Sequence, residues 1–187
     1  MIYSTATIPV NPGDEIPLTR DQVWKGLEAK ARDARLFLPE GLCTRCEVVE
    51  KSRTHFVREA TIGGADLREI IVLEPQSKIT FFQASGSREG AIINELFEDQ
   101  SGALYLRFYC YLGLCDKVPG GPEEQAEQAQ FDSDGGGTAR STGRAAKSFA
   151  RSWPRSSSGV KGSCAIETSY SPETPVSVPK ARRWPAS

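Results

Sequence analysis

Two periodicities organise this chain. Val23, Leu27 and Ala31, with Trp24 beside them, form an apolar stripe at helical spacing, and Lys25, Glu28 and Arg32 take the opposite side. Thr19 followed by Gln22 predicts a capping box at the start of that helix, and Leu18 with Val23 a hydrophobic staple. A shorter helical turn over residues 34–38 stops at Pro39. The period then drops to two. Six alternating runs, 42–50, 55–62, 67–73, 78–84, 91–98 and 104–112, are separated by Lys51-Ser52-Arg53, Gly63-Gly64, Glu74-Pro75-Gln76, Gly86-Ser87-Arg88 and residues 99–102. Those separators are turn chemistries for consecutive hairpins. A further strand over residues 2–10 precedes the helix, and Pro122-Glu123-Glu124 opens a last one, with proline and acids in its first turn. The order β-α-α-β6-α predicts one α+β domain: a seven-stranded antiparallel sheet curved around helix and enclosing a small-molecule cavity.

The character of the chain changes at Asp132-Ser133-Asp134-Gly135-Gly136-Gly137. Residues 1–131 read as the cavity domain and 132–187 as a Ser/Gly/Arg/Pro-rich tail expected to be mostly disordered. In that tail, Ala145, Phe149 and Trp153 recur amid Arg144, Lys147 and Arg151 as a weak basic amphipathic pattern. The formal net charge of -1 hides an asymmetry, because the tail holds nine Lys/Arg against four Asp/Glu and the body fourteen against twenty. An acidic body gives no electrostatic footprint for nucleic acid, so none is expected as a partner. No basic leader and no run near the ~20 apolar residues of a membrane span are present, which predicts a soluble, cytoplasmic protein. Five cysteines, an odd number, read as free thiols in a reducing compartment.

The stretches MIYSTATIPVNP, LTRDQVWKGLEAKARDARLFLP, VREATIGGADLREIIVLEP and INELFEDQSGALYLRFYCYL resemble the AtaL-like family of the START, or helix-grip, superfamily, the fold of the birch pollen allergen, lipid-transfer domains and aromatic polyketide cyclases. The resemblance covers about residues 1–131. It implies a curved sheet gripping a long C-terminal helix, with a ligand cavity between them, and it implies a fold more firmly than a reaction. The chain departs from that pattern where the gripped helix should continue, since helical sequence stops near Phe131. Either the segment after Gln130 is unrelated to the fold or residues 141–153 stand in for the missing turns.

Candidate chemistry comes from register. A two-residue turn at Gly63-Gly64 sets Arg58 opposite Glu69 and Glu59 opposite Arg68, on opposite faces. The face with Phe56, Ala60, Ile62, Leu67, Ile71, Leu73 and Phe82 is the more apolar, which turns Arg58 and Glu69 inward as a polar ligand anchor or a structural ion pair. Pairing across residues 99–102 puts Glu95 among Ile93, Phe97, Leu104, Leu106 and Phe108, where desolvation would make it a candidate acid or base. A shift by one would instead turn Asn94 and Arg107 inward. His55 lacks a nucleophile partner. Cys43 and Cys46, three apart on a strand, should point to opposite faces, so no metal site is expected.

The reading that results is a binder or carrier of a small hydrophobic molecule without a cofactor; the resemblance implies a secondary metabolite or its precursor as that molecule. Arg58, Leu67, Glu69, Ile71, Phe82, Glu95, Phe97, Leu106 and Phe108 are its candidate ligand contacts. The alternatives are a cyclase- or hydrolase-like enzyme using Glu95 or Glu69, and an interaction protein working through its basic tail.

Overall fold

The computed structural model describes residues 1–13 and 17–133. The elements run β1 (Ile2–Pro9), α1 (Arg20–Arg32), a single 3-10 turn (Ala34–Leu36), β2 (Cys43–Lys51), β3 (His55–Ile62), β4 (Ala65–Glu74), β5 (Lys78–Ser85), β6 (Arg88–Glu98), β7 (Leu104–Leu114) and α2 (Pro122–Ser133). Expectations for the tail, including the amphipathic segment over 141–153, fall outside the described residues.

Short turns make each strand from β2 to β7 the neighbour of the next, and β1 closes on β7, giving the order β1-β7-β6-β5-β4-β3-β2 with every pair antiparallel. Gly63 and Gly64 both sit at positive φ, +60° and +81°, as a primed two-residue hairpin turn requires. Ile62 therefore faces Ala65, and Arg58 faces Glu69, in the register the sequence predicts.

Helix α1 starts with both halves of its capping box: the Thr19 N–H donates to Gln22 Oε1 (2.8 Å) and the Gln22 N–H to Thr19 Oγ1 (3.3 Å). Its stripe of Val23, Trp24, Leu27 and Ala31 is buried against Phe56, Ile71, Ile79, Phe81, Leu96, Leu106 and Phe108 on the concave face of the sheet. Burying a Val or Leu of this kind contributes about 1.5–3 kcal/mol, more than the helix's own propensity supplies.

Helix α2 lies against β1 and β7. Gln128 covers the open edge of β1, its Oε1 accepting from Tyr3 N–H (2.7 Å) and its Nε2 donating to Tyr3 C=O (3.0 Å). Phe131 packs on Ile2, Cys110 and Leu112. Glu124, read from sequence only as a first-turn acid, is 4 % exposed. It accepts from the N–H groups of Leu114 (3.1 Å) and Gly120 (2.7 Å) and pairs with the Met1 ammonium. Those contacts, the ammonium first, hold its carboxyl down at about 2. The whole is an α+β helix-grip fold. No described helix is long and apolar enough to cross a membrane.

Candidate functional site

A cavity of about 200 Å³ opens between the C-terminal end of α1, the 3-10 turn and the concave face of the sheet. Its lining is mostly apolar: Ala34, Phe37 and Leu38 from the helical side, with Ile62, Phe81, Ile92 and Phe108 from β3, β5, β6 and β7. Among the described residues, four polar groups interrupt it, Lys30, Arg58, Glu69 and Asn94. No described residue of α2 contributes to the lining.

Arg58 and Glu69 form a buried pair, 4 % exposed each. Arg58 Nε donates to Glu69 Oε2 at 2.9 Å, and Nη2 donates to the same oxygen. Arg58 Nη1 donates to the carbonyls of Lys30 (3.1 Å) and Ala31 (2.9 Å), two of the carbonyls that the end of α1 leaves unpaired. Gln83 Nε2 supplies Glu69 Oε1 with its own donor at 2.8 Å. The guanidinium lies 5.4 Å from the Phe81 ring centroid. The pair thus ties sheet to helix across the cavity wall.

Lys30 and Asn94 are placed differently. The Lys30 Nζ stands 4.9 Å from the centroid of Phe108. Burial, and secondarily the Arg58 charge, lower its pKa from 10.5 to about 8 against the opposing pull of Glu69. Asn94 is 1 % exposed, and its buried Oδ1 has no hydrogen-bond partner among the described residues. A folded-state pKa below the unfolded one means that the unfolded chain binds the extra proton between pH 8 and 10.5, so stability rises with pH through that window. Lys30→Met is therefore expected to stabilise the protein at pH 7, by up to a few kcal/mol. Its advantage over wild type should shrink toward pH 10.5, and urea midpoints of both chains at pH 7 and pH 10 check this. Equal pH dependence of the two chains would remove Lys30 as its source.

Among the residues expected at the site, Arg58, Glu69 and Phe108 do line the cavity. Ile71 and Leu106 are buried in the main core beneath it, and Leu67 packs with the Cys43, Cys46 and Ala60 cluster. Three residues are on the wrong face. Phe82 is 45 % exposed and Phe81 is the inward neighbour, because Glu74 pairs with Lys78 across a three-residue connection in which Gln76 takes φ +62°. Glu95 and Phe97 also point outward. Residues 99–103 form a five-residue loop with Gly102 at φ +81°, so Glu98 pairs with Leu104 and Glu95 with Arg107. Arg107 donates to Glu95 Oε2 from Nε at 2.8 Å and stacks over Phe97 at 5.2 Å on the outer surface. Leu96, Asn94 and Ile92 take the inward positions. Arg107, paired with Asn94 in the shifted alternative, stays outside.

Cys43 and Cys46 share one buried cluster, contrary to strict alternation. A bulge between Cys43 and Arg45 sets Cys43 opposite Ile62 and Cys46 opposite Ala60, so one extra residue restores the same face. Cys46 Sγ accepts from the Ala34 N–H (3.3 Å), and burial pushes the Cys43 thiol up. His55 lies on the exposed β2–β3 hairpin, Nδ1 2.8 Å from Ser52 Oγ.

Lys30 was missed in sequence, although a signal existed: residues 23, 27, 30 and 34 follow the helical i, i+4, i+7, i+11 rule that carries the buried stripe into the cavity. Asn94 entered only through the shifted register.

The model of the family described as acetylaranotin biosynthesis cluster protein L (AtaL) matches residues 4–151, and the chain belongs to that family. The match runs past the Phe131 limit drawn from the sequence. No curated protein matches the chain. Similar solved structures include TTHA0849 from Thermus thermophilus (TM-score 0.56, 10% identity, 81% of this chain and 98% of that one). The Zhui aromatase/cyclase from Streptomyces sp. R1128 is similar at TM-score 0.54 and 16% identity over 85% of this chain and 98% of that one. BexL, a di-domain aromatase/cyclase from the BE-7585A biosynthetic pathway, is similar at TM-score 0.53 and 13% identity over 82% and 50%. At such identities the likeness concerns the fold.

Proposed function

We propose that this protein binds a small, largely apolar molecule bearing at least one polar group in the cavity between α1 and the concave face of the sheet. The observation that carries the reading is an apolar cavity of about 200 Å³ whose lining includes a buried amide, Asn94, with an oxygen that has no partner among the described residues. A pocket of hydrocarbon walls with a few placed polar groups is how small-molecule sites fix orientation. An unpaired buried acceptor costs about 1–3 kcal/mol, which a ligand donor offsets.

Native mass spectrometry of the full chain as purified, followed by titration with naphthylmethanol, tests this. One-to-one binding is expected, and it should be lost in Ile92→Trp, where the larger ring occupies the cavity. Asn94→Leu, close in shape, should raise stability by about 1–3 kcal/mol and weaken binding of the alcohol roughly ten-fold. A folded chain that carries nothing and takes up no probe overturns the proposal.

Because Zhui and BexL are aromatase/cyclases, catalysis in the same cavity is the second reading. Glu69 is the one carboxylate among the described lining residues. Both its oxygens already accept hydrogen bonds, an arrangement suited to orienting neighbours more than to shuttling protons. Glu95, on the outer surface, cannot reach a molecule in this cavity.

A further inference from the structure

Three charged side chains line the cavity among the described residues, and two of them satisfy each other. Arg58, from β3, has taken up Glu69, from β4, the only anion in that lining. Lys30 is left with no acceptor for its Nζ among the described residues; its contact is the face of Phe108. A lysine near a helix end can ordinarily extend its head to water along an apolar stem. This one instead occupies the helical phase of Val23 and Leu27, which brings the amine against a buried ring. Desolvation together with a neighbouring cation is the combination that activates lysine amines as nucleophiles toward carbonyl carbon. With its pKa brought down to about 8, roughly a tenth of the molecules hold a neutral amine at pH 7.

We propose that Lys30 is a nucleophilic amine that captures an aldehyde or ketone group of an apolar ligand as an imine inside this cavity. The proposal rests on the binding function above and names the ligand's reactive group. The Nζ lone pair adds to the carbonyl carbon, forming the C–N bond while the C=O π pair moves to oxygen. A proton passes from nitrogen to that oxygen to give the carbinolamine. Loss of the hydroxyl as water, with the remaining N–H proton, leaves the imine. Atoms balance with water as the only product besides the imine, and no oxidant or reductant takes part. Asn94, whose Oδ1 has no donor among the described residues, is an uncommitted acceptor in the lining for the carbinolamine hydroxyl.

The test is incubation of the full chain with naphthaldehyde and cyanoborohydride, which reduces an imine to a stable secondary amine, with naphthylmethanol binding measured in parallel. The expected product is a single adduct, heavier by the probe less one oxygen atom, mapped by peptide mass spectrometry to Lys30. It should form at least ten-fold faster than at Lys25, Lys51, Lys78 or Lys117, with a rate that climbs through pH of about 8. Lys30→Arg and Lys30→Met should lose it. If the alcohol binds but Lys30 is labelled no faster than the other lysines, the imine proposal is overturned and the cavity reading stands. If neither probe binds, both fall. Site-by-site rates in the wild-type chain decide the matter even where a variant folds poorly.

Discussion

Arg58→Met is expected to destabilise the protein by about 3–5 kcal/mol, because it removes one partner of a fully buried ion pair and strands the other. Glu69 would be left without its guanidinium in a site that is 4 % exposed, with Gln83 as its remaining donor. The carbonyls of Lys30 and Ala31 would lose the guanidinium that now closes the end of α1. Urea denaturation measures the effect as a lower midpoint at unchanged slope. The double variant Arg58→Met/Glu69→Leu should recover most of the loss, since replacing both partners by apolar groups of similar volume is often neutral or better. A single variant within about 1 kcal/mol of wild type would mean that the pair is solvated and the cavity wall looser than described.

That experiment also separates the two meanings of this pair. Four hydrogen bonds leave Arg58 with one uncommitted N–H of its five, so it is first a brace between β3, β4 and α1 and only then a ligand contact. Lys30 and Asn94 show the opposite economy. Each sits in the same wall without a hydrogen-bond partner for its side-chain head among the described residues. Asn94 is buried, and Lys30 is part-buried with only the Phe108 face and the more distant Glu69 charge to offset its desolvation, so removing either is expected to strengthen the fold. Groups that the folded chain would be more stable without are the usual mark of a site kept for something other than folding.

The pattern of elements was legible because each rests on local chemistry: the Thr19–Gln22 capping box, the Gly63-Gly64 turn, the Val23–Leu27–Ala31 stripe. The inward turn of Arg58 and Glu69 was legible too, since a two-residue hairpin admits one register. The faces of Phe82, Glu95 and Phe97 were not. Each depended on whether a connection held an odd or even number of residues. Gln76 and Gly102, both at positive φ, add the residue that changes the parity. The Cys43–Arg45 bulge does the same inside a strand, against the strict alternation assumed for the two cysteines. One residue inverts a whole strand, so element type survives an error that candidate chemistry does not. Glu124 escaped for another reason: its partners are backbone groups of Leu114 and Gly120, which no side-chain pattern announces.

Leu27→Ala is expected to cost about 2–5 kcal/mol, the range for truncating a buried leucine whose surroundings cannot collapse. Leu27 is 1 % exposed and lies between Val23, Trp24 and Ala31 on its own helix and the concave face of the sheet. The void would open one turn before Lys30, between the helix that carries the amine and the sheet that carries Phe108 and Asn94. Side-chain packing and the Arg58 bridge are what seat the end of α1, so loosening the first should free the helix before the sheet. Hydrogen exchange is therefore expected to accelerate at α1 amides ahead of those in β3 to β7, and naphthylmethanol binding to weaken with it. Leu36→Ala supplies the contrast: at 53 % exposure it should stay within about 0.5 kcal/mol of wild type. If Leu27→Ala instead leaves both stability and α1 exchange unchanged, α1 does not form the roof of the cavity, and the placement of Lys30 inside it loses its support.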